Sequence, residues 1–211
     1  MKGLKIVGVI LIVVLLAGAG VYLTILSPSA QEGQLKAMLE AEGEEVTSFE
    51  VKGDKAYMKG VIGPWTIQQV KDLIDQNPEV MTIVMVNVPG SLDDVSNLEA
   101  SRLVRKAGLG TAIEKDGHIA SGGTDFFCAG VRRTVEAGAR IGVHSWGTGD
   151  EAFATANDLV KDDPEHQKYL DYYREMGIPK DFYWFTLKMA PAAGMHYMTA
   201  EEIAQFGLAT D

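Results

Sequence analysis

The sequence predicts a layered α/β domain behind an apolar N-terminal segment. Three observations point to this. Residues Ile6 to Leu26 carry no charge and are long enough to cross a bilayer as a helix. From Ala56 onward, short apolar runs rich in β-branched residues alternate with amphipathic helical runs. The links between them are short, which favours right-handed strand–helix–strand crossovers.

Lys2 and Lys5 precede the apolar run. A cleaved leader usually has a shorter apolar core and small residues before the cut, whereas a cut after Ala30 would place Pro28 at an unfavourable position. The segment therefore reads as a signal anchor, residues 1–30. The lysines stay in the cytoplasm and the C-terminal domain faces outward, which in a bacterium means the inner membrane with a periplasmic domain. Residues 31–54 read as a juxtamembrane segment: "EGQLKAMLEAEGEEV" places Leu35, Met38 and Leu39 on one helical face. The α/β domain is expected over 55–211. There "AYMKGVI" reads as strand and turn, and "WTIQQVKDLIDQNP" as a helix with Ile67, Val70, Leu73 and Ile74 at helical spacing, stopped at Asn77-Pro78. "MTIVMVNV" suits a strand buried on both faces of a parallel sheet and ends at Pro89-Gly90. "DDVSNLEASRLVRKAG" is a helix opened by acids and closed by Gly108. "GTAIE" is a strand, "SGGTDFFCAG" a small-residue helix, and "VRRTV" and "RIGVHSW" are short strands. The remainder is mostly helical, with Gly177 and Gly207 at helix C-termini.

Composition excludes several functions. Apolar residues make up 46% and charged ones 23%, which fits a folded domain and not a disordered chain. The net charge is −10, and more acidic still without the two N-terminal lysines, so no nucleic-acid backbone is expected as a partner. The lone cysteine, Cys128, lies in an apolar run and reads as a buried small residue; neither an intrachain disulfide nor a structural zinc site can be built from it. No metal or other cofactor is expected.

The chemistry-bearing stretch is "GHIASGGTDFFCAGVRRTVEAGARIGVHSW". A serine hydroxyl needs a base to take its proton, and a histidine titrates in the right range. Acyl transfer also needs backbone N–H groups aimed at the developing oxyanion. Ser121 at a helix start, His144 at a strand end, and the N–H groups of Gly122 and of Gly90-Ser91 supply candidates for all three roles. The residues alone also allow a blander reading, with Ser121 a helix cap and His144 a hydrogen-bonded core histidine. The nucleophile elbow of α/β-hydrolases is absent, since Ile119 stands where its first glycine belongs, and no glycine pair completes a dinucleotide loop.

From about Tyr57 to Asp211 the chain resembles the Clp protease/crotonase superfamily, and most of all the Clp-protease-like extracytoplasmic proteins of bacteria. "MKGVIGPWTIQQVKDLIDQNPEVMTIVMVNVPGS" is similar to the strand–helix–strand that ends in that family's proline-glycine-glycine loop. "GHIASGG" resembles the nucleophile segment, "RRTVEAGARIGVHSW" the strand pair that delivers the histidine, and "YLDYYREMGI" and "YMTAEEIAQFGLATD" the C-terminal helices. The resemblance implies a layered fold of repeated ββα units, Ser121 as nucleophile, His144 as base, and an oxyanion hole from Gly90, Ser91 and Gly122. It also implies a peptide or protein substrate and a homo-oligomer. Ser91 replaces the loop's second glycine. The usual aspartate is missing: Gly194 or Met195 stands in its place, with His196 adjacent. Asp125, Asp150, Asp181 and His196 are the residues that could act as third member. Related membrane peptidases of this fold use a Ser/Lys pair, for which Lys161 and Lys168 are the lysines to check. His118 reads as a surface turn or a wall of the site. His166 reads as solvated. Phe182, Tyr183, Trp184 and Phe185 read as core or oligomer packing. The function expected is a membrane-anchored serine peptidase or hydrolase working through an acyl-enzyme. The alternative is a non-catalytic scaffold or binding protein with an incomplete triad. An acyl-CoA-processing crotonase is a third reading, disfavoured by the anchor, the acidic charge and the Ser/His pair.

Overall fold

The computed structural model describes residues 12–17, 20–25, 28–147 and 155–210. Ahead of the domain, β1 (Ile12–Ala17) and β2 (Gly20–Ile25) pair antiparallel as a separate two-stranded ribbon, of which only the backbone is described. The spanning helix expected over Ile6–Leu26 lies partly on residues 6–11, 18–19 and 26, outside the described residues. Among the described residues no helix is long and apolar enough to cross a membrane.

Helix α1 (Pro28–Ala41) follows. Leu39 is buried against Val46 and Trp65 with Leu35 beside it, while Met38 is 50% exposed. The apolar face expected from Leu35, Met38 and Leu39 is therefore narrower than its residues suggest. The spacing between Leu35 and Leu39 is one helical turn and meets the domain, and Met38 falls off that line.

The main sheet has eight strands. Its long path runs β10 (His196–Tyr197), β9 (Arg140–Val143), β7 (His118–Ala120), β5 (Thr82–Val88), β4 (Lys55–Lys59), β3 (Ser48–Lys52), and β6 (Gly110–Ile113) and β8 (Arg133–Val135) branch off it. β3 lies ahead of the expected domain start at 55, yet pairs with β4 along its whole length. It is an edge strand with alternating exposure, and Glu50 and Lys52 give it a polar look in sequence. β5 forks. Its first half pairs in parallel with β6 and its last two residues with β7. β9 runs parallel to β7, in register Ile119 to Ile141. The consequence is functional: three neighbouring parallel strands, β5, β7 and β9, release the chain at the same end. Loops at the carboxyl ends of parallel strands are where α/β folds build their sites.

Helices hold that end in place. α2 (Thr66–Gln76) buries Val70 and Leu73. α3 (Asp94–Lys106) is capped by Asp93, which accepts from the N–H groups of Val95 and Ser96, and it ends in Arg105 and Lys106 before Gly108 turns left-handed (φ 72°). α4 (Gly122–Cys128) is short, and its buried side is apolar apart from Thr124. Phe126, Phe127 and Cys128 are fully buried with Met58, Ile83, Met85, Ile113, Ile119 and Ile141. Truncating either phenylalanine to alanine would cost about 3–5 kcal/mol. α5 (Pro164–Glu175), α6 (Lys180–Met189) and α7 (Ala200–Gln205) close the far side. On α5, His166, Tyr169 and Tyr173 share one face and are buried. The expectation that His166 is solvated is corrected here. It is 1% exposed, and its Nδ1 meets the Tyr183 hydroxyl at 2.6 Å, because the charged residues of this helix lie on the opposite face.

Candidate active site

The chain leaves β7 through Ser121, whose backbone takes φ 54°, ψ −128°. Among the described residues it is the one non-glycine with positive φ. A side chain held there costs on the order of 1–3 kcal/mol, which only surrounding contacts can sustain. Those contacts are present. The Ser121 N–H donates to the Gly142 carbonyl (3.0 Å), the Thr124 hydroxyl donates to the same carbonyl (2.8 Å), and the Thr124 N–H donates to the Ser121 carbonyl (2.8 Å). Close packing fixes the glycines around it. A Cβ on Gly123 would stand 2.4 Å from the Val88 carbonyl oxygen, and one on Gly142 would stand 2.7 Å from Met195 Sδ.

The loop after β5 lies alongside. Gly90 takes φ 153°, and a Cβ there would lie 3.3 Å from Ser121 Cβ and 3.7 Å from its Oγ. Ser91 replaces a glycine of the resembled loop without strain, because its φ is not positive. Its Oγ donates to Asp94 Oδ1 (2.8 Å). Gly122 has no room for a side chain: a Cβ would stand 2.2 Å from Ser91 Oγ and 2.9 Å from Asn97 Nδ2. Asn97 in turn donates to the Gly122 carbonyl (2.9 Å). Among the described residues, the N–H groups of Gly90, Ser91 and Gly122 have no hydrogen-bond acceptor.

His144 follows β9. It and Ser121 line one small pocket of about 40 Å³, with Asp94, Gly122, Thr124, Asp125, Trp146, Tyr169, Tyr173, Tyr183 and Thr186 around them. No hydrogen bond joins the Ser121 hydroxyl to the ring. Burial pushes the His144 imidazole below its ordinary pKa, opposed by hydrogen bonds to the backbone of Ala192 and Ser145 and by the charge of Asp94. His144 Nδ1 lies 3.1 Å from the Ala192 carbonyl. A carbonyl only accepts, so Nδ1 carries the proton and Nε2 keeps its lone pair. The Ser145 N–H also donates to the Ala190 carbonyl (2.8 Å), so residues 190–192 run alongside the histidine.

None of the described candidates for third member contacts His144. Asp125 lines the pocket, but its Oδ1 accepts from the Tyr173 hydroxyl. Burial raises its carboxyl to about 7. Asp181 is exposed on the first turn of α6. His196 pairs across β10 to β9, with Nε2 2.8 Å from Glu202 Oε2. Asp150 lies outside the described residues. A main-chain carbonyl thus occupies the orienting position. His118 contacts the Tyr197 hydroxyl (3.1 Å) and does not line the pocket. Lys168 pairs with Glu165 and Lys161 lies over Trp184, and neither lines the pocket. Phe182 and Tyr183 are buried as core, yet Tyr183 also borders the pocket. Cys128 is fully buried, as expected. Among the described residues no group of three His, Cys, Asp or Glu side chains is arranged to hold a metal ion.

No family model matches the sequence, and no curated protein does. Solved structures do match in shape. One is a membrane-bound stomatin-specific protease, with a TM-score of 0.50 and 14% identity, covering 76% of this chain and 79% of that one. The chain shares the fold of that protease. Enoyl-CoA hydratases are also similar. One from Polaromonas has a TM-score of 0.48 and 12% identity over 78% of this chain and 69% of that one. One from Mycobacterium tuberculosis has a TM-score of 0.49 and 14% identity over 78% and 73%. At this identity the likeness shows the fold alone, and the chemistry falls to the residues of the site.

Proposed function

We propose that the chain is a serine hydrolase that cleaves peptide or protein substrates through an acyl-enzyme. The observation behind this is the strained backbone of Ser121, at the tip of a parallel strand, in the same pocket as a histidine whose Nδ1 is engaged by a carbonyl. His144 Nε2 takes the Ser121 proton as Oγ attacks the substrate carbonyl. The N–H groups of Gly122 and of the Gly90-Ser91 turn donate to the oxyanion. His144 then returns the proton to the leaving amine, and water repeats the sequence to release the acyl group. The Ala192 carbonyl sets the tautomer that the missing aspartate would set. It brings no negative charge to the imidazolium, so turnover should be slower than in a site with the acid.

The uncharged run Ile6–Leu26 anchors the protein, with Lys2 and Lys5 in the cytoplasm and the domain outside. In a bilayer this run takes the helical form, since an open two-stranded ribbon would leave its edges unpaired in hydrocarbon. A homo-oligomer fits the fold by analogy. The second reading is a non-catalytic scaffold, favoured because no acidic side chain among the described residues is hydrogen-bonded to His144. Purified full-length protein incubated with a peptide library separates the two. Cleavage that disappears in Ser121→Ala supports the hydrolase; equal cleavage by both proteins removes it, and a folded wild type that cleaves nothing favours the scaffold. Saturable binding of a coenzyme A thioester in the same pocket would instead support the hydratase-like chemistry.

A further inference from the structure

Asp94 has no part in the resemblance or in the catalytic scheme above. The helix that it begins is already capped by Asp93, which takes the Val95 and Ser96 N–H groups. The Asp94 side chain turns instead into the pocket that holds Ser121 and His144. Its Oδ1 accepts from Ser91 Oγ (2.8 Å), and its Oδ2 accepts from the Tyr169 hydroxyl of α5. A glycine at 91 would have no such donor. Ser91 is wedged between Asp94 and Gly122, so the two stretches of backbone with unpaired N–H groups touch through its side chain.

We propose that Asp94 is a positioning residue of this site: it pins the Gly90-Ser91 loop to α5 through the Ser91 and Tyr169 hydroxyls, and its carboxylate shares the pocket with the imidazole that must become positive. The proposal rests on the serine-hydrolase reading. It divides the work of the absent aspartate between two groups, with orientation from the Ala192 carbonyl and charge from Asp94. The other titratable groups facing His144 across the pocket are Asp125 on α4, Tyr169 and Tyr173 on α5, and Tyr183 on α6, and among the described residues no lysine or arginine lines it. Asp125, raised to about 7, carries only partial charge near neutrality. Asp94 also raises the His144 pKa, so removing its charge must lower it.

The test uses the full chain in detergent. The His144 ring is titrated by NMR in wild type and Asp94→Asn, and the rate of fluorophosphonate labelling is followed against pH. In Asp94→Asn the His144 midpoint should fall by at least about half a pH unit, and the acid limb of labelling should move with it. Ser91→Ala and Tyr169→Phe keep the charge but cut the pinning. Each should slow labelling by about tenfold without moving the midpoint. An unmoved His144 midpoint in Asp94→Asn overturns the charge role, and wild-type labelling rates in Ser91→Ala and Tyr169→Phe overturn the pinning role. A wild type that does not label removes the hydrolase reading and the pinning role with it, while the NMR titration still decides the charge role by itself.

Discussion

Asp125 offers a quantitative test of how closed the site is. Its carboxyl accepts from the Tyr173 hydroxyl and its main-chain carbonyl from the Tyr172 hydroxyl, while part of its surface opens to the pocket. Desolvation dominates and raises it to about 7, with the charge of Asp94 adding to the shift and the Tyr173 hydrogen bond opposing it. A free aspartate titrates near 3.9. Between these values the folded protein holds a proton that the unfolded chain has released, so stability is greatest at acid pH and is lost as pH rises toward 7 and just beyond. At ~1.4 kcal/mol per pH unit the whole effect is about 4 kcal/mol, an upper value because of the opening to the pocket. Roughly 2.5 kcal/mol of it falls between about pH 5 and 8. Asp125→Asn keeps an oxygen for Tyr173 and removes the titration. Urea unfolding of wild type and variant at both pH values reads the difference directly. The variant should gain on the wild type by roughly 2.5 kcal/mol as pH rises. A variant that gains nothing on the wild type, or loses ground, as pH rises would show that the carboxyl is solvated and that the pocket is more open than its lining suggests.

Other perturbations read the site from different directions. Ser121→Gly should abolish labelling yet raise the melting temperature by a few degrees, since glycine relieves about 1 kcal/mol of backbone strain; a lower melting temperature would contradict the strain. Gly122→Ala should slow labelling at least tenfold and cost about 1–3 kcal/mol of stability, because its methyl would meet Ser91 Oγ at 2.2 Å. Adding Ser91→Gly should recover part of the stability, and no recovery would place the clash elsewhere. Because burial depresses His144, labelling should hold its rate through pH 6.5, the ordinary histidine range, and fall only below it; a limb at or above 6.5 would contradict that environment. Lys168→Met should label like wild type, since its ammonium pairs with Glu165 outside the pocket, whereas a large loss would point to a lysine base.

Much of the fold was readable because its signals are local. The β-branched run of β5, the 3.6-residue spacing of Val70 and Leu73 on α2, and the acids and glycine bounding α3 each declare their element. The order of motifs along the chain was enough to bring Ser121 and His144 together, since the parallel strands β7 and β9 are adjacent. What escaped depends on tertiary pairing. β7 and β10 have three and two residues and exist only because β5 and β9 stand beside them. β3 hides behind the charges of an edge strand. His166 reads as solvated in sequence because its helix face is decided by Tyr169, Tyr173 and Tyr183, two helices of aromatic packing that no short window reveals. The third-member candidates, Asp125, Asp150, Asp181 and His196, are side chains; sequence cannot single out the Ala192 carbonyl, because every residue has one. Asp94 looked like an ordinary first-turn acid, and only the hydroxyls of Ser91 and Tyr169 single it out.

The central claim is that the Ser121 hydroxyl is activated by His144, whose Nδ1 is held by the Ala192 carbonyl. Fluorophosphonate labelling of the full-length protein at neutral pH, read by intact mass and peptide mapping, tests it most directly, with Ser121→Ala and His144→Ala alongside. The account predicts a single adduct on Ser121, absent in Ser121→Ala and slowed at least a hundredfold in His144→Ala. An adduct on another residue, a His144→Ala protein that labels as fast as wild type, or a folded wild type that takes up no probe would contradict it.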